Sequence, residues 1–244
     1  MALSDQLPVE LGFRMRGAGI SRIDIFSDIV FALALVLLAI SLTVPKTPRV
    51  AQPPLLSLAT VSVCLAMILG GWASHYTFFR RYGLRDRLTL ILNCALLFLI
   101  LFCVYPLKLL FDTISKFLFA DSAATWLATA VQINGRLALY AIGFALIFLL
   151  IAALYWNAWR RRDALEFNGV ERLLTVSSII DALGLSAIGL LAALAALVLP
   201  ASWSVFSVLV YLLTVPWKTL NGLYFGRKAR TLRKLVYAEF VAEK

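Results

Sequence analysis

The chain has 244 residues, 62% of them hydrophobic and 15% charged, with a mean hydropathy of +0.90 and a net charge of +10. A soluble domain is nearer half apolar and a quarter charged, so this composition excludes an ordinary soluble fold and points to one polytopic membrane domain. The basic residues lie between apolar runs, where they set membrane orientation, and this excludes nucleic acid as a partner.

Residues 1–21 are polar, carry Gly12, Gly17 and Gly19, and read as a flexible or surface-lying arm. Asp5 and Glu10 precede no short apolar core with a small-residue cleavage site, so the first span reads as a retained signal anchor. That span covers 22–44 and stops at Pro45, and the proline-rich KTPRVAQPP (46–54) is a loop. The second span, 55–79, contains GGWASH (70–75), and RRYGLRDR (80–87) forms a short basic loop. The third, 88–110, carries Asn93 and ends near Pro106. Residues 111–130 read as a mixed connection with an interfacial helix around 111–119. The fourth span, 133–156, brings Trp156 and Trp159 to the interface. The basic loop RRRDALEFNGVER (160–172) follows, then a fifth span, 173–199, ending at Pro200, and the tight connection ASWS. The sixth span, 203–225, has Pro216 towards its end. The tail beyond it is basic and amphipathic, with Leu232, Val236 and Phe240 at i, i+4 and i+8.

The expected fold class is therefore an all-α membrane protein with six transmembrane helices. Each run is about 20 residues or more, enough to cross roughly 30 Å of hydrocarbon, and helices satisfy the backbone within lipid. An even number of spans puts both termini on one side. Of the 23 Lys and Arg, only Lys46, Arg49, Lys108, Lys116 and Arg136 fall on the other side, so both termini are expected in the cytoplasm. The chain divides into a cytoplasmic N-terminal arm (1–21), a six-helix membrane domain (22–225) and a basic cytoplasmic tail (226–244).

Cys64, Cys94 and Cys103 all fall inside apolar spans and read as small buried side chains, with neither a disulfide framework nor a metal site. The first span has a charged head, Arg22, Asp24 and Asp28, followed by Leu33, Leu37 and Ile40. At about 100° per residue these three lie within about 60° of one another, on a face that could meet a pore, lipid or another helix. Ala32 and Ala39 share a neighbouring stripe suited to close packing. Ionisable groups in a span are costly unless paired or wet. With antiparallel helices, Arg22, Asp28, Trp72, His75 and Asn93 reach similar depth, and one hydrogen-bonded cluster would satisfy them. Asp181, deep in the fifth span, reads as a structural partner, with Ser177 or a neighbouring helix.

Arg22, Phe26, Ser27 and Asp28 spell R-x-x-x-F-S-D at the opening of the first helix. With Trp72-x-x-His75 in the second helix and Asn93 early in the third, the chain resembles the transmembrane-protein-175 potassium channel family. The resemblance covers helices one to three. It implies a homotetramer of six-helix subunits whose first helices surround a potassium pore without a TVGYG carbonyl filter. It implies that Leu33, Leu37 and Ile40 form a hydrophobic constriction. Arg22, Asp28, Trp72, His75 and Asn93 would form a network bracing the first helix, with Arg22 and Asp28 as a pair, while the helical wheel sets Arg22 nearly in phase with Leu33 and leaves open that it points at the pore mouth instead. Two positions depart from the family pattern: Val36 replaces a threonine common three residues after the first constriction position, and Ser41 replaces a polar group, often glutamate, near the outer end.

The leading expectation is a potassium-permeable cation leak channel of the cell membrane, with potassium ions, the lipid bilayer and further copies of the chain as partners and no cofactor. The alternative is a proton-coupled secondary transporter or proton channel using His75, Asp28 and Asp181, although no convincing inverted repeat is present. No nucleophile–base pair, metal-ligand spacing or phosphate loop points to an enzyme.

Overall fold

The computed structural model describes residues 7–10, 12–17, 19–40, 54–118, 123–200 and 204–242. A short hairpin, β1 (Val9–Glu10) and β2 (Phe13–Arg14), precedes six α-helices: α1 (Arg22–Ile40), α2 (Pro54–Tyr82), α3 (Arg87–Leu118), α4 (Ala123–Arg160), α5 (Gly169–Val198) and α6 (Thr214–Ala242). A 3-10 helix, Ser204–Leu213, leads into α6. Four segments among the described residues are long and apolar enough to cross a membrane: α1, Arg87–Val104, Asn134–Arg160 and α5.

Two proline positions depart from the expected boundaries. α3 runs through Pro106 to Leu118 and α4 starts at Ala123, so the connection expected over 111–130 is mostly helix. Proline removes one backbone hydrogen bond, and an apolar surrounding offers the remaining groups no competitor to the helix. Pro216 sits in the first turn of α6, not towards the end of the sixth segment. Its ring would clash with the carbonyl four residues earlier in a continuous α-helix. The preceding ten residues take the tighter 3-10 winding, and the α-helix restarts at Thr214, so that Pro216 falls in a first turn, where its missing N–H matters least. The loop at 46–53 lies outside the described residues.

α4 and α5 form the most extensive pair, α3 flanks α4, and α6 lies along α5. α1 packs against both α3 and α2. Small residues set the α4–α5 spacing. A Cβ added to Gly189 would come within 3.0 Å of the Ala145 backbone nitrogen. Ser186 Oγ, beside it, donates to the Ala145 carbonyl at 2.9 Å. This is the close approach that small side chains permit between membrane helices. Gly184 receives the Trp217 indole of α6 in the same way.

Composition left the N-terminal arm either flexible or surface-lying, and its described residues pack against the helices. Phe13 is 1% exposed and meets Tyr82 edge-on, with ring centres 5.5 Å apart. α2 ends where Gly83 takes φ +59 and returns its N–H to the Phe79 carbonyl at 2.9 Å, a left-handed helix stop that suits glycine. The arm then supplies donors to the terminal carbonyls of α2. Arg16 N–H reaches the Arg81 carbonyl at 3.3 Å and Gly17 N–H the Arg80 carbonyl at 3.1 Å. A Cβ on Gly17 would lie 2.1 Å from the Phe79 carbonyl oxygen, so only glycine fits this contact. The orphan carbonyls of a helix end are thus matched by amides from a distant part of the sequence.

Candidate functional site

α1 starts with a reciprocal cap. Ser21 N–H donates to Asp24 Oδ2 at 2.9 Å, and Asp24 N–H donates to Ser21 Oγ at 3.2 Å. This is the capping-box arrangement with aspartate as the acid, and it gives Asp24 of the charged head a local task. The packed face of α1 comprises Ser27, Val30, Phe31, Ala34 and Leu38, a helical stripe turned towards α2 and α3.

Three buried side chains on that side form a directional chain. Ser27 Oγ donates to the Ile23 carbonyl at 2.8 Å, so it must accept from Asn93 Nδ2, 3.0 Å away. That orientation turns Asn93 Oδ1 towards His75 Nε2 at 2.7 Å. A carbonyl oxygen only accepts, so His75 carries a proton on Nε2. The chain runs from α2 (His75) through α3 (Asn93) to α1 (Ser27), and all three side chains are at most 3% exposed. The His75 ring also lies between Phe31 and Phe79, with centre distances of 5.5 and 4.6 Å.

Asp28 belongs to a second, more exposed link. Its Oδ1 accepts from Trp72 Nε1 at 2.8 Å, and the Trp72 ring stacks on Tyr76 at 5.6 Å. Arg80 donates to the Tyr76 hydroxyl at 2.7 Å and pairs with Glu10 of the arm. A cavity of about 400 Å³ lies between the arm and this region, lined by Asp24, Asp28, His75 and Arg80 among others. The expected Arg22–Asp28 pair does not form. Arg22 is exposed and has no ion pair among the described residues, because its Cα lies almost in phase with Leu33, away from Asp28. Phe26 is likewise exposed, at 55%.

Leu33, Leu37 and Ile40 lie on the uncovered face of α1, 46%, 42% and 72% exposed in the single chain. Ile29 and Val36 extend the same apolar stripe. Among the described residues nothing packs over it, while the opposite face of the helix is held by hydrogen bonds and aromatic rings.

Two polar clusters, around Glu171 and Asp86, were not expected from the sequence, whereas Asp181 was expected to have a structural partner. Glu171, 0% exposed at its side chain, receives Arg14 at 3.1 Å and Arg16 at 2.9 Å, and completes a capping box with Asn168 at the start of α5. The N-x-x-E spacing in FNGVER was the available signal, but its two arginine partners lie about 155 residues upstream. Asp86 caps α3, accepting from Thr89 Oγ1 at 2.6 Å. It also accepts from Asn157 of α4 at 3.3 Å and pairs with Arg161 at 3.0 Å. Burial pushes the Asp86 carboxyl up, but the bonds from Thr89 and Asn157 and the Arg161 charge outweigh it and hold the group below its ordinary value. Asp181 pairs loosely with Lys218 of α6 at 3.6 Å, while Ser177 is taken by Asn221. Among the described residues no group of three or more His, Cys, Asp or Glu is placed to hold a metal. Cys94 is exposed and Cys103 half-buried, so burial does not explain Cys94, and Cys64 lies outside the described side chains.

The family model described as "Endosomal/lysosomal potassium channel TMEM175" matches residues 22–104, the stretch that holds α1 and the polar links above. A protein named "Potassium channel" from Marivirga tractuosa is 34% identical over 232 residues, covering 90% of this chain and 93% of its own. The solved potassium channel MtTMEM175, crystallised as a threonine-to-alanine variant with a Nanobody-MBP fusion, is 32% identical with a TM-score of 0.71, covering 91% of this chain and 100% of that one. A lysosomal potassium-selective channel TMEM175 homolog from Chamaesiphon minutus shares the fold at a TM-score of 0.59 and 22% identity, covering 82% of this chain and 96% of its own.

Proposed function

Since this chain belongs to the TMEM175 potassium channel family, whose members matched here are ion channels and not enzymes, we propose that it is the subunit of a potassium-permeable leak channel. It is a multi-pass membrane protein by family and by its apolar helices. In this reading the chain crosses the cell membrane six times with both termini in the cytoplasm, and four copies bring their α1 helices around a central pathway. The observation that carries the reading is the uncovered aliphatic face of α1. A helix fixed on one side by buried polar bonds, and bare on the other, is built to present that other side to something outside its own subunit.

Leu33 to Ile40 spans about 10 Å of helix. Four copies of Leu33, Leu37 and Ile40 would stack three aliphatic rings along that length, a constriction that can dewet and so gate without a plug. With no carbonyl cage to replace the hydration shell, discrimination follows from the smaller dehydration cost of potassium compared with sodium. The links from Ser27 and Asp28 to α2 and α3 would then brace the pore helix, and Arg22, on the same face as Leu33, would stand at the pore mouth. Purified protein in potassium-loaded liposomes should pass potassium down its gradient, read by a potassium-sensitive dye or planar-bilayer current. No flux at several voltages and pH values would overturn the reading. Saturable flux that requires a proton gradient would favour a transporter.

A further inference from the structure

One exposed face of α6 changes character abruptly along its length. Leu220, Leu223 and Tyr224 are each more than half exposed. Over the next three turns the same side of the helix carries Arg227, Lys228, Arg230 and Lys234, all exposed. Arg227, Arg230 and Lys234 recur at i, i+3 and i+7, in line with Leu220 and Leu223. None of the four pairs with an acidic side chain among the described residues. Lys228 folds back over the Tyr224 ring at 4.2 Å and donates to its hydroxyl at 2.5 Å. An aromatic ring with a cation above it is the usual furniture of the membrane–water boundary.

The opposite side of α6 is occupied. Asn221 donates to the Ser177 carbonyl at 3.2 Å, Ala229 is 1% exposed, and Arg233 lies against Gly12 of the arm. The basic step is therefore level with the start of α5 and the arm, where the apolar spans end.

We infer that this face binds the headgroups of anionic phospholipids. The argument is charge matching at one depth. Four unpaired cations directly beyond an apolar helix surface attract an anionic headgroup layer, with the acyl chains lying along Leu220 and Leu223. A second copy of the chain is a poorer occupant, because it offers 13 acidic against 23 basic residues. The inference rests on the proposed placement of α6 in the bilayer.

The test uses the full-length protein in a neutral detergent, titrated with phosphatidylglycerol or phosphatidylcholine and followed by native mass spectrometry. Wild type should bind phosphatidylglycerol at least tenfold more tightly, and 0.5 M salt should erode the preference by screening. Each basic residue contributes about fivefold, so R227Q/R230Q/K234Q should lose roughly a hundredfold in affinity for phosphatidylglycerol. Glycerol phosphate, lacking chains, should not compete. Equal binding of the two lipids, or a preference kept by the triple variant, overturns the inference, as does full competition by glycerol phosphate. Tighter, competing binding of a DNA duplex on the same residues would also overturn it. Liposome flux separates the two readings: potassium flux with no lipid preference leaves the channel and removes the lipid site, and the converse removes the channel alone.

Discussion

Asn93→Leu tests the buried chain that joins the first three helices. The substitution keeps the branched heavy-atom skeleton and removes two hydrogen bonds, at 2.7 Å to His75 and 3.0 Å to Ser27. Ser27 keeps its bond to the Ile23 carbonyl and loses little. His75 is 3% exposed, and its Nε2–H is left without an acceptor. The two lost bonds and the stranded donor together cost about 2–4 kcal/mol. The readout is denaturant or thermal unfolding of the purified protein in detergent, in parallel with liposome flux. Adding His75→Phe removes the stranded donor and places a ring where Phe31 and Phe79 already pack, so the double variant should recover half or more of the loss. Asn93→Leu within about 0.5 kcal/mol of wild type, or a double variant no more stable than the single one, would refute the reasoning.

Leu33→Ala and Ile40→Ala should each raise potassium flux several-fold and weaken discrimination against sodium in bilayer recordings, since each widens one of the aliphatic rings a pore must wet; unchanged currents would remove that residue from the constriction. Glu171→Gln keeps the shape but strands two arginines, and breaking a buried pair of this kind costs about 3–5 kcal/mol. Arm release should then accelerate tryptic cleavage after Arg14 and Arg16, and an unchanged cleavage rate would show the arm to be held elsewhere. The Asp86 carboxyl titrates below its ordinary value of 3.8. Its bonds therefore contribute fully above that pH, and their stabilisation is lost as pH falls through the folded-state value. Asp86→Asn should lower stability at neutral pH and flatten the acid dependence below about pH 4, measured by unfolding from pH 3 to 7.

The helices were legible wherever an apolar run was long enough to have no alternative in lipid. The depth alignment of Trp72, His75 and Asn93 with the head of α1 was legible too, because antiparallel neighbours of known length constrain depth. What escaped was pairing over long sequence separation. Arg14 and Arg16 looked like orientation charges, yet both close on Glu171. For Arg22 the sequence left two orientations open, towards Asp28 by resemblance and towards the Leu33 face by helical phase, and in the structure an indole is the partner of Asp28. Residue type alone does not distinguish a charge that faces water from one spent inside the fold. Pro106 and Pro216 show the same limit for the backbone: one is absorbed by a long helix and the other resets the winding, and local sequence does not say which.

The 3-10 helix before α6 has a length consequence. Ten residues, Ser204–Leu213, rise about 20 Å in this winding against about 15 Å as α-helix. The segment thus covers its distance with about three residues fewer than a continuous α-helix would need. Rewinding that segment would draw its far end about 5 Å, close to one full turn, towards Pro216, and would rotate its side chains by about 20° per residue relative to α4 and α5. The sixth segment is in this sense a screw thread cut at two pitches, with the change of pitch just ahead of Pro216.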